Sequence, residues 1–220
     1  MISPAKRHIM RVKAAEEAAK AAETQVRPDA SQYELMLAKL YEDKRRLKGI
    51  ESMKARAELK REMLPEYEPY IKGVLESDAG VQDDVLTTLM LWCIDASEYD
   101  GALTLAEYAM RHNLTMADSF SRSLPCLLAE QFAEAVLVNN DAVPEDALRK
   151  VGMLTASHDM PDQVKAKLHK AIGIVLETSD PAEALHHLKV AFDYDDRSGV
   201  KTKIKQLEKQ LQQNKPDDQA

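Results

Sequence analysis

The spacing of apolar residues is the feature that most limits the folds open to this chain. After residue 80 they recur at intervals of three and four positions, the spacing that lines one face of an α-helix. Two such series lie 82 positions apart: Leu86, Leu89, Met90, Cys93 and Ile94, and then Leu168, Ala171, Ile172, Val175 and Leu176. Each is followed by a short polar break and a further series at the same offset: Ala102, Leu103, Ala106, Ala109 and Met110, and then Ala184, Leu185, Leu188, Ala191 and Phe192. The pattern predicts two similar helical hairpins.

The surrounding sequence extends these hairpins into a helical array. Asp180 followed by Pro181 is typical of a helix start, and the small-residue rhythm of the second hairpin resembles a tetratricopeptide-type helix pair. Further helices are expected over 127–139, 144–157 and 198–213. We therefore predict that residues 79–213 form a tetratricopeptide-like body that binds other proteins, and that residues 214–220 form a disordered tail.

Composition supports an all-α protein. Only 7 of the 220 residues are glycine, aromatic residues make up 5%, and alanine, leucine, lysine and glutamate are abundant. Two cysteines do not make a disulfide framework, which favours a reducing compartment. No stretch approaches the 18 apolar residues of a membrane span, so we expect no contact with a membrane.

The first part of the chain has a different charge from the rest. Residues 1–63 contain 15 Lys and Arg against 10 Asp and Glu, whereas residues 64–220 contain 15 against 27. Residues 1–30 are polar and rich in alanine, and they predict a flexible basic arm. Residues 31–78 predict a long basic helix, capped by Ser31 and ending near Leu64 before Pro65, and then a short helix over 67–77.

This long helix permits three interpretations: an exposed solvated helix, a helix that assembles subunits, and a helix that binds a polyanion. A heptad-like apolar stripe favours assembly, and its members are Tyr33, Met36, Leu40, Leu47, Ile50, Ala57 and Leu64. The basic side chains lie mainly off the stripe, so assembly and phosphate binding are compatible. With two arginines of the arm, the predicted DNA-binding residues are Arg7, Arg11, Lys44, Arg45, Arg46, Lys48, Lys54, Arg56, Lys60 and Arg61.

Motifs for catalysis are scarce. There is no Cys-x-x-Cys pair, glycine-rich phosphate loop or serine elbow, so the sequence predicts no metal site and no cofactor. Asp83 and Asp84 are adjacent carboxylates at an expected helix start, where negative charge is favourable for electrostatic reasons alone. An intrinsic endonuclease would need Mg²⁺, and these two aspartates are the best available ligands for it.

Several segments together resemble a known family. They are "SPAKRHIMRV" from Ser3, "YELMLAKL" from Tyr33, "VQDDVLTTLMLW" from Val81, "GALTLAEYAMRHNLTM" from Gly101, "DMPDQVKAKLHKAIG" from Asp159 and "GVKTKIKQLEKQL" from Gly199. In this order they resemble the terminase small subunits of temperate, contractile-tailed bacteriophages with cohesive-end genomes, which are often described as terminase endonuclease subunits.

The resemblance implies a role in packaging DNA. Such a protein binds the packaging site on concatemeric double-stranded viral DNA in the host cytoplasm. It assembles into a homo-oligomer, commonly a ring, and brings the DNA to the terminase large subunit, which holds the ATPase motor. We therefore expect a non-enzymatic recognition subunit; the alternatives are a metal-dependent endonuclease that cuts the cohesive-end site, and a scaffold that binds only protein.

Overall fold

The computed structural model describes residues 3–24, 31–117, 120–139 and 142–213. Over these residues the chain forms α-helices and no β-strand, which confirms the all-α prediction. The helices are α1 (Pro4–Thr24), α2 (Ser31–Lys48), α3 (Met53–Ser77), α4 (Asp84–Asp95), α5 (Tyr99–Arg111), α6 (Leu124–Val138), α7 (Glu145–Thr155), α8 (Asp162–Val175), α9 (Pro181–Tyr194) and α10 (Lys201–Gln213). None of the helices in the described part is long and apolar enough to cross a membrane.

The chain divides into two compact units, Met1–Leu124 and Pro125–Ala220, called unit 1 and unit 2 below. Helix α4 is the centre of unit 1, because every residue from Val85 to Ile94 is buried. Helices α2, α3 and α5 all pack against α4. Its sequence is apolar on all sides apart from Thr87 and Thr88, and these neighbours explain why, since they surround the helix.

A flexible arm was predicted for residues 1–30, but most of this segment is helix α1 (Pro4–Thr24), which packs along α3. The buried side chains of α1 are small apart from one methionine: Met10, Ala14, Ala18 and Ala21. A Cβ atom at Gly73 of α3 would lie 2.2 Å from the Arg11 carbonyl oxygen and 2.9 Å from the Ala14 Cβ. Small residues therefore let the two backbones approach closely, and docking needs little apolar side-chain area. Residues 25–30 of the predicted arm, and the tail 214–220, lie outside the described residues.

The predicted single helix over 31–64 is two helices. Helix α2 ends at Lys48, directly before Gly49, and α3 begins after Ser52, whose Oγ accepts a hydrogen bond from the Ala55 amide at 3.3 Å. The start of α2 is stabilised from α1, because the Glu17 carboxylate accepts a hydrogen bond from the Gln32 amide at 2.9 Å. The predicted Ser31 cap involves a side chain outside the described part of the chain.

The prediction that the helix ends near Leu64 is wrong, since α3 continues through Pro65 and Pro69 to Ser77. The expected short helix over 67–77 is the second half of α3. An internal proline costs about 3 kcal/mol. Burial of four large side chains on the same helix offsets this cost, because burying one large apolar side chain stabilises the fold by about 1.5–3 kcal/mol. They are Met63, Tyr67, Tyr70 and Val74.

Both predicted hairpins are present as pairs of contacting neighbours, α4 with α5 and α8 with α9. Gly173 of α8 lies close to α9, because a Cβ atom there would be 2.7 Å from the Leu188 Cγ. The predicted start of α9 is confirmed: Asp180 Oδ1 accepts from the Glu183 amide at 2.9 Å, and Pro181 occupies the first turn. The further likeness to a tetratricopeptide array remains a prediction.

Candidate nucleic-acid interface

Four of the predicted DNA-binding side chains are engaged inside unit 1. Lys60 pairs with Asp95, and its Nζ lies 5.9 Å from the centroid of the Trp92 ring. Arg61 donates from Nε and Nη2 to the Ala96 carbonyl oxygen at 3.2 and 2.6 Å. Ala96 caps the carboxyl end of α4, where a cation is also favoured by the helix dipole. These two side chains therefore fasten α3 to the end of α4.

The other two engaged cations are Arg56 and Lys44. Arg56 Nε donates to the Ile50 carbonyl oxygen and holds the connection between α2 and α3. Lys44 Nζ lies 3.5 Å from the Thr88 Oγ1, and burial lowers the pKa of this lysine. Both side chains have tasks within the fold that a count of basic residues does not reveal.

Four other predicted cations, on α2 and α3, have side chains that are exposed to solvent. Arg45 and Arg46 are 70% and 57% exposed, and they pair with Glu42 at 2.6 Å and Asp43 at 3.1 Å. Lys48 and Lys54 are exposed and form no ion pair within the described residues.

Helix α1 carries two further predicted cations, Arg7 and Arg11. Arg7 and His8 line a cavity with Glu68 and Pro69 of α3. On the α2 side, Lys39 contacts Glu66 and Asp43 contacts Tyr67, so both helices reach the same level of α3. The contact of Glu17 with the start of α2 agrees with this antiparallel arrangement. The exposed cations at the end of α2 and the start of α3 are here called the basic end: Arg45, Arg46, Lys48 and Lys54.

The cavity between α1 and α3 has a volume of about 250 Å³. It is called the α1–α3 pocket below, and its lining residues are Arg7, His8, Arg11, Glu68, Pro69 and Lys72. Sequence reasoning selected Arg7 and Arg11 but missed His8 and Lys72. Lys72 lies in the part of α3 beyond Pro65, where the sequence indicated a separate short helix.

The predicted oligomerisation stripe is mostly an inner face of α2. Met36, Leu40 and Leu47 are 6%, 3% and 7% exposed inside unit 1. The remaining predicted members are half-buried: Tyr33, Ile50, Ala57 and Leu64. Large exposed apolar side chains lie elsewhere on unit 1 and were not selected from the sequence: Ile9, Leu35, Tyr41 and Met53.

The two aspartates of the catalytic alternative have structural contacts. Asp83 is fully buried and caps α4, accepting from the Leu86 amide at 2.9 Å and from the Tyr70 hydroxyl. Asp84 is half-buried and accepts from the Gln82 side-chain amide at 2.9 Å. Among the described residues no group of three or more His, Cys, Asp or Glu side chains is placed to hold a metal ion.

Unit 2 contains a larger cavity, of about 460 Å³, which the sequence did not indicate. His169 and His187 border it, and their Nδ1 atoms lie 2.8 Å apart across α8 and α9. Burial and the neighbouring histidines lower the pKa of His169 to about 4, so the pair is neutral near pH 7. Neutral imidazoles can share one N–H···N hydrogen bond, which joins the two helices.

Comparison with known proteins shows which protein family this helical chain is similar to. The phage small terminase subunit family matches residues 37–163, more than half of the chain. The chain is 43% identical over 215 residues to the "Terminase, endonuclease subunit" of Escherichia phage P2, covering 96% of this chain and 86% of that protein. It is 27% identical over 100 residues to the "Probable terminase, endonuclease subunit" of Haemophilus phage HP1, covering 45% and 36%. No solved structure matches it significantly.

These matches define a component of a viral DNA-packaging terminase. The chain belongs to the phage small terminase subunit family. Membership of this family implies DNA and a terminase large subunit as partners. The resemblance found in the sequence is thereby confirmed.

Proposed function

We propose that this small subunit binds the cohesive-end packaging site of concatemeric viral DNA in the host cytoplasm through the basic end of unit 1. The observation that carries the proposal is the set of exposed cations at the end of α2 and the start of α3. Lys48 and Lys54 have no acidic partner within the described residues, and the partners of Arg45 and Arg46 are exposed or shared with other cations. Phosphate groups release counterions on binding such a surface, which makes affinity strongly salt-dependent.

The test compares two double variants of the full chain with the same change in charge. Lys48→Ala/Lys54→Ala removes two cations of the basic end. Lys205→Ala/Lys209→Ala removes two exposed lysines of α10 that form no ion pair within the described residues. We expect the first to weaken binding to site-bearing duplex DNA about tenfold or more, and each lost contact to lower the salt slope by about 0.9. Equal losses in both variants would show a general charge effect and reject the site.

A substitution of opposite sign gives a second test. Glu51 is exposed and lies between Lys48 and Lys54 in sequence. Glu51→Gln removes a charge that repels phosphate, so we expect tighter binding and a steeper salt dependence. Weaker binding by this variant would contradict the proposal that DNA binds at the basic end.

We also propose that the subunits assemble into the expected ring, and that they contact one another through the outer face of α2. Leu35 and Tyr41, two large apolar side chains of α2, are 56% and 70% exposed there. The half-buried members of the predicted stripe can extend the contact. Native mass measurement tests this: Leu35→Ser/Tyr41→Ser should lower the assembly state, whereas an unchanged mass would move the contact elsewhere.

The helical body is the proposed contact for the large subunit, in line with the prediction for residues 79–213. Met153 of α7 is 73% exposed in unit 2 and supports a protein contact there. Full-length Met153→Asp should co-purify poorly with the large subunit while DNA binding is kept. Normal co-purification would exclude this residue from the contact.

An endonuclease activity of the subunit itself is the second candidate function, favoured by the names of the two relatives. It is tested with purified protein, Mg²⁺ or Mn²⁺, and a plasmid that carries the site. Asp84→Asn is the suitable variant because Asp84 does not support the buried core as Asp83 does. Cutting by the subunit alone that this variant abolishes would establish the activity.

A further inference from the structure

We propose that the α1–α3 pocket is a dedicated binding site for a phosphate group. If the phosphate belongs to DNA, the pocket adds one specific DNA contact to those of the basic end, and in that case the proposal rests on the proposed function. If the phosphate is free, it does not. The pocket is distinct from the α2 surface because its cations come from the first turns of α1 and from the second half of α3.

The close approach of α1 and α3 fixes the pocket in place. Gly73 follows Lys72 directly and lies against the backbone of Arg11 and Ala15, so Lys72 and Arg11 are held on facing helices. Arg7 and Arg11 are one helical turn apart on α1 and border the same cavity. Because the contact is between backbones, the positions of these cations do not depend on flexible loops.

The pocket carries more positive charge than its own acid neutralises. Arg7, Arg11 and Lys72 face a single lining carboxylate, Glu68. Lys72 and Glu68 pair at 2.7 Å, but both side chains are more than half exposed, so this pair is weak and exchangeable. Arg7 forms no side-chain ion pair within the described residues.

Arg11 supplies the most specific evidence. Its Nε atom is buried and has no hydrogen-bond partner. Its two terminal nitrogens make only long contacts of 3.5 Å, one to Glu76 and one to His8 Nδ1. A buried donor without an acceptor is unfavourable. The two terminal nitrogens, which make only these long contacts, can still donate to an oxyanion in the pocket.

The arrangement of donors favours phosphate over carboxylate. Two guanidinium groups and one ammonium line the cavity from two helices. A carboxylate is planar and offers two oxygens, whereas a phosphate is tetrahedral and offers more acceptors to such a set. The ligand is therefore a phosphate group, supplied either by the backbone of DNA or by free inorganic phosphate.

The first experiment uses inorganic phosphate and the full chain in chloride buffer at constant ionic strength. Binding is followed by calorimetry and by phosphorus NMR line width. Arg7→Ala removes one cation, and Arg11→Lys keeps the charge but removes the buried Nε and the fork. We expect each variant to weaken phosphate binding about tenfold, the effect of losing a hydrogen bond to a charged group. Lys13→Ala, an exposed lysine of α1 outside the pocket, should change it less than twofold.

The second experiment measures binding to a short site-bearing duplex, with and without added phosphate. If DNA supplies the group, phosphate should compete with DNA for the wild-type protein more than chloride does, and Arg7→Ala should remove this difference. If phosphate binds but does not compete, the pocket takes free phosphate. Wild-type protein that does not bind phosphate, or pocket variants that behave as Lys13→Ala does, would overturn the proposal.

The two proposals fail separately. Loss of DNA binding in the Lys48→Ala/Lys54→Ala variant, together with no phosphate binding by the wild type, would reject the pocket and leave the proposed function intact. Phosphate binding by a protein that ignores DNA would reject the proposed function and leave the pocket. Thermal unfolding of Arg11→Lys close to that of the wild type excludes undocking of α1 as the cause of any loss.

Discussion

Replacing Asp43 with alanine tests how unit 1 is held together. This carboxylate is 4% exposed and accepts from Lys39 Nζ at 2.7 Å, from Arg46 Nη1 at 3.1 Å and from the Tyr67 hydroxyl at 2.8 Å. Burial raises the pKa of Asp43, but hydrogen bonds from Lys39 and Tyr67 outweigh burial and hold that pKa below its usual value. Asp43 is therefore a charged acceptor that joins α2 to α3.

The expected loss follows from these contacts. Removing one partner of a buried ion pair costs about 3–5 kcal/mol. That cost includes the buried Tyr67 hydroxyl left without its acceptor, at about 1–3 kcal/mol. Lys39 keeps Glu66 at 2.9 Å, and Arg46 is more than half exposed, so neither cation is stranded. We therefore expect the lower limit, a fall of about 3 kcal/mol in the free energy of unfolding.

Urea unfolding at pH 7 measures this loss, with Glu42→Ala as the matched control. Glu42 also pairs with an arginine three positions along α2, but it is 53% exposed, so its loss should cost under about 1 kcal/mol. Tyr67→Phe should cost about 1–2 kcal/mol alone and much less when Asp43 is already alanine, because the two groups share one hydrogen bond. A similar small loss for Asp43→Ala and Glu42→Ala would refute the reasoning.

Four other substitutions test the fold. Gly73→Ala places a Cβ atom 2.2 Å from a backbone oxygen, so we expect a loss of about 1–3 kcal/mol and faster trypsin cleavage in α1. Gly101→Ala, whose Cβ would meet only an ordinary 3.6 Å contact, should be neutral or slightly stabilising. Burial holds the pKa of His169 at about 4 against its usual 6.5. As the pH falls from 6.5 towards 4, the unfolded state therefore binds a proton before the folded state does, and the free energy of unfolding decreases. His169→Gln should make this decrease smaller, as measured by thermal unfolding. Asp83→Ala should destabilise by about 2–4 kcal/mol, because a helix cap and the acceptor of a buried hydroxyl are lost together.

The elements that were predictable are those whose own sequence contains the signal. The hairpins follow from apolar residues at helical spacing, and the α9 start follows from Asp180 and Pro181. The course of α3 was not predictable in this way, because the local effect of Pro65 favours an end and only the burial of residues such as Tyr67 reverses it. Docking of α1 was missed for a related reason: alanines that pack against Gly73 carry almost no hydrophobic periodicity.

The basic residues show the same limit at the candidate site. Lys48 and Lys60 are both lysines on a charged helix, and nothing near them in sequence separates an exposed cation from one that pairs inside the fold. The partner of Lys60 is Asp95, 35 positions away, and it lies beside the end of α4. Positive charge therefore predicted the general region of the interface, whereas the choice of individual side chains depends on tertiary contacts.

The difference between exposed cations and cations that pair inside the fold changes how binding data on the subunit should be interpreted. Arg61 holds the carbonyl of Ala96, so its removal weakens the attachment of α3 to α4 and disturbs the basic end without removing any phosphate contact. Lys54 lies about two helical turns earlier on α3 and has no such task. Loss of DNA binding in an Arg61 variant is therefore evidence for a phosphate contact only if unfolding is unchanged and the salt slope falls. A lower melting temperature with the same salt slope indicates a packing role, because counterion release depends on the number of phosphates contacted and not on the stability of the protein.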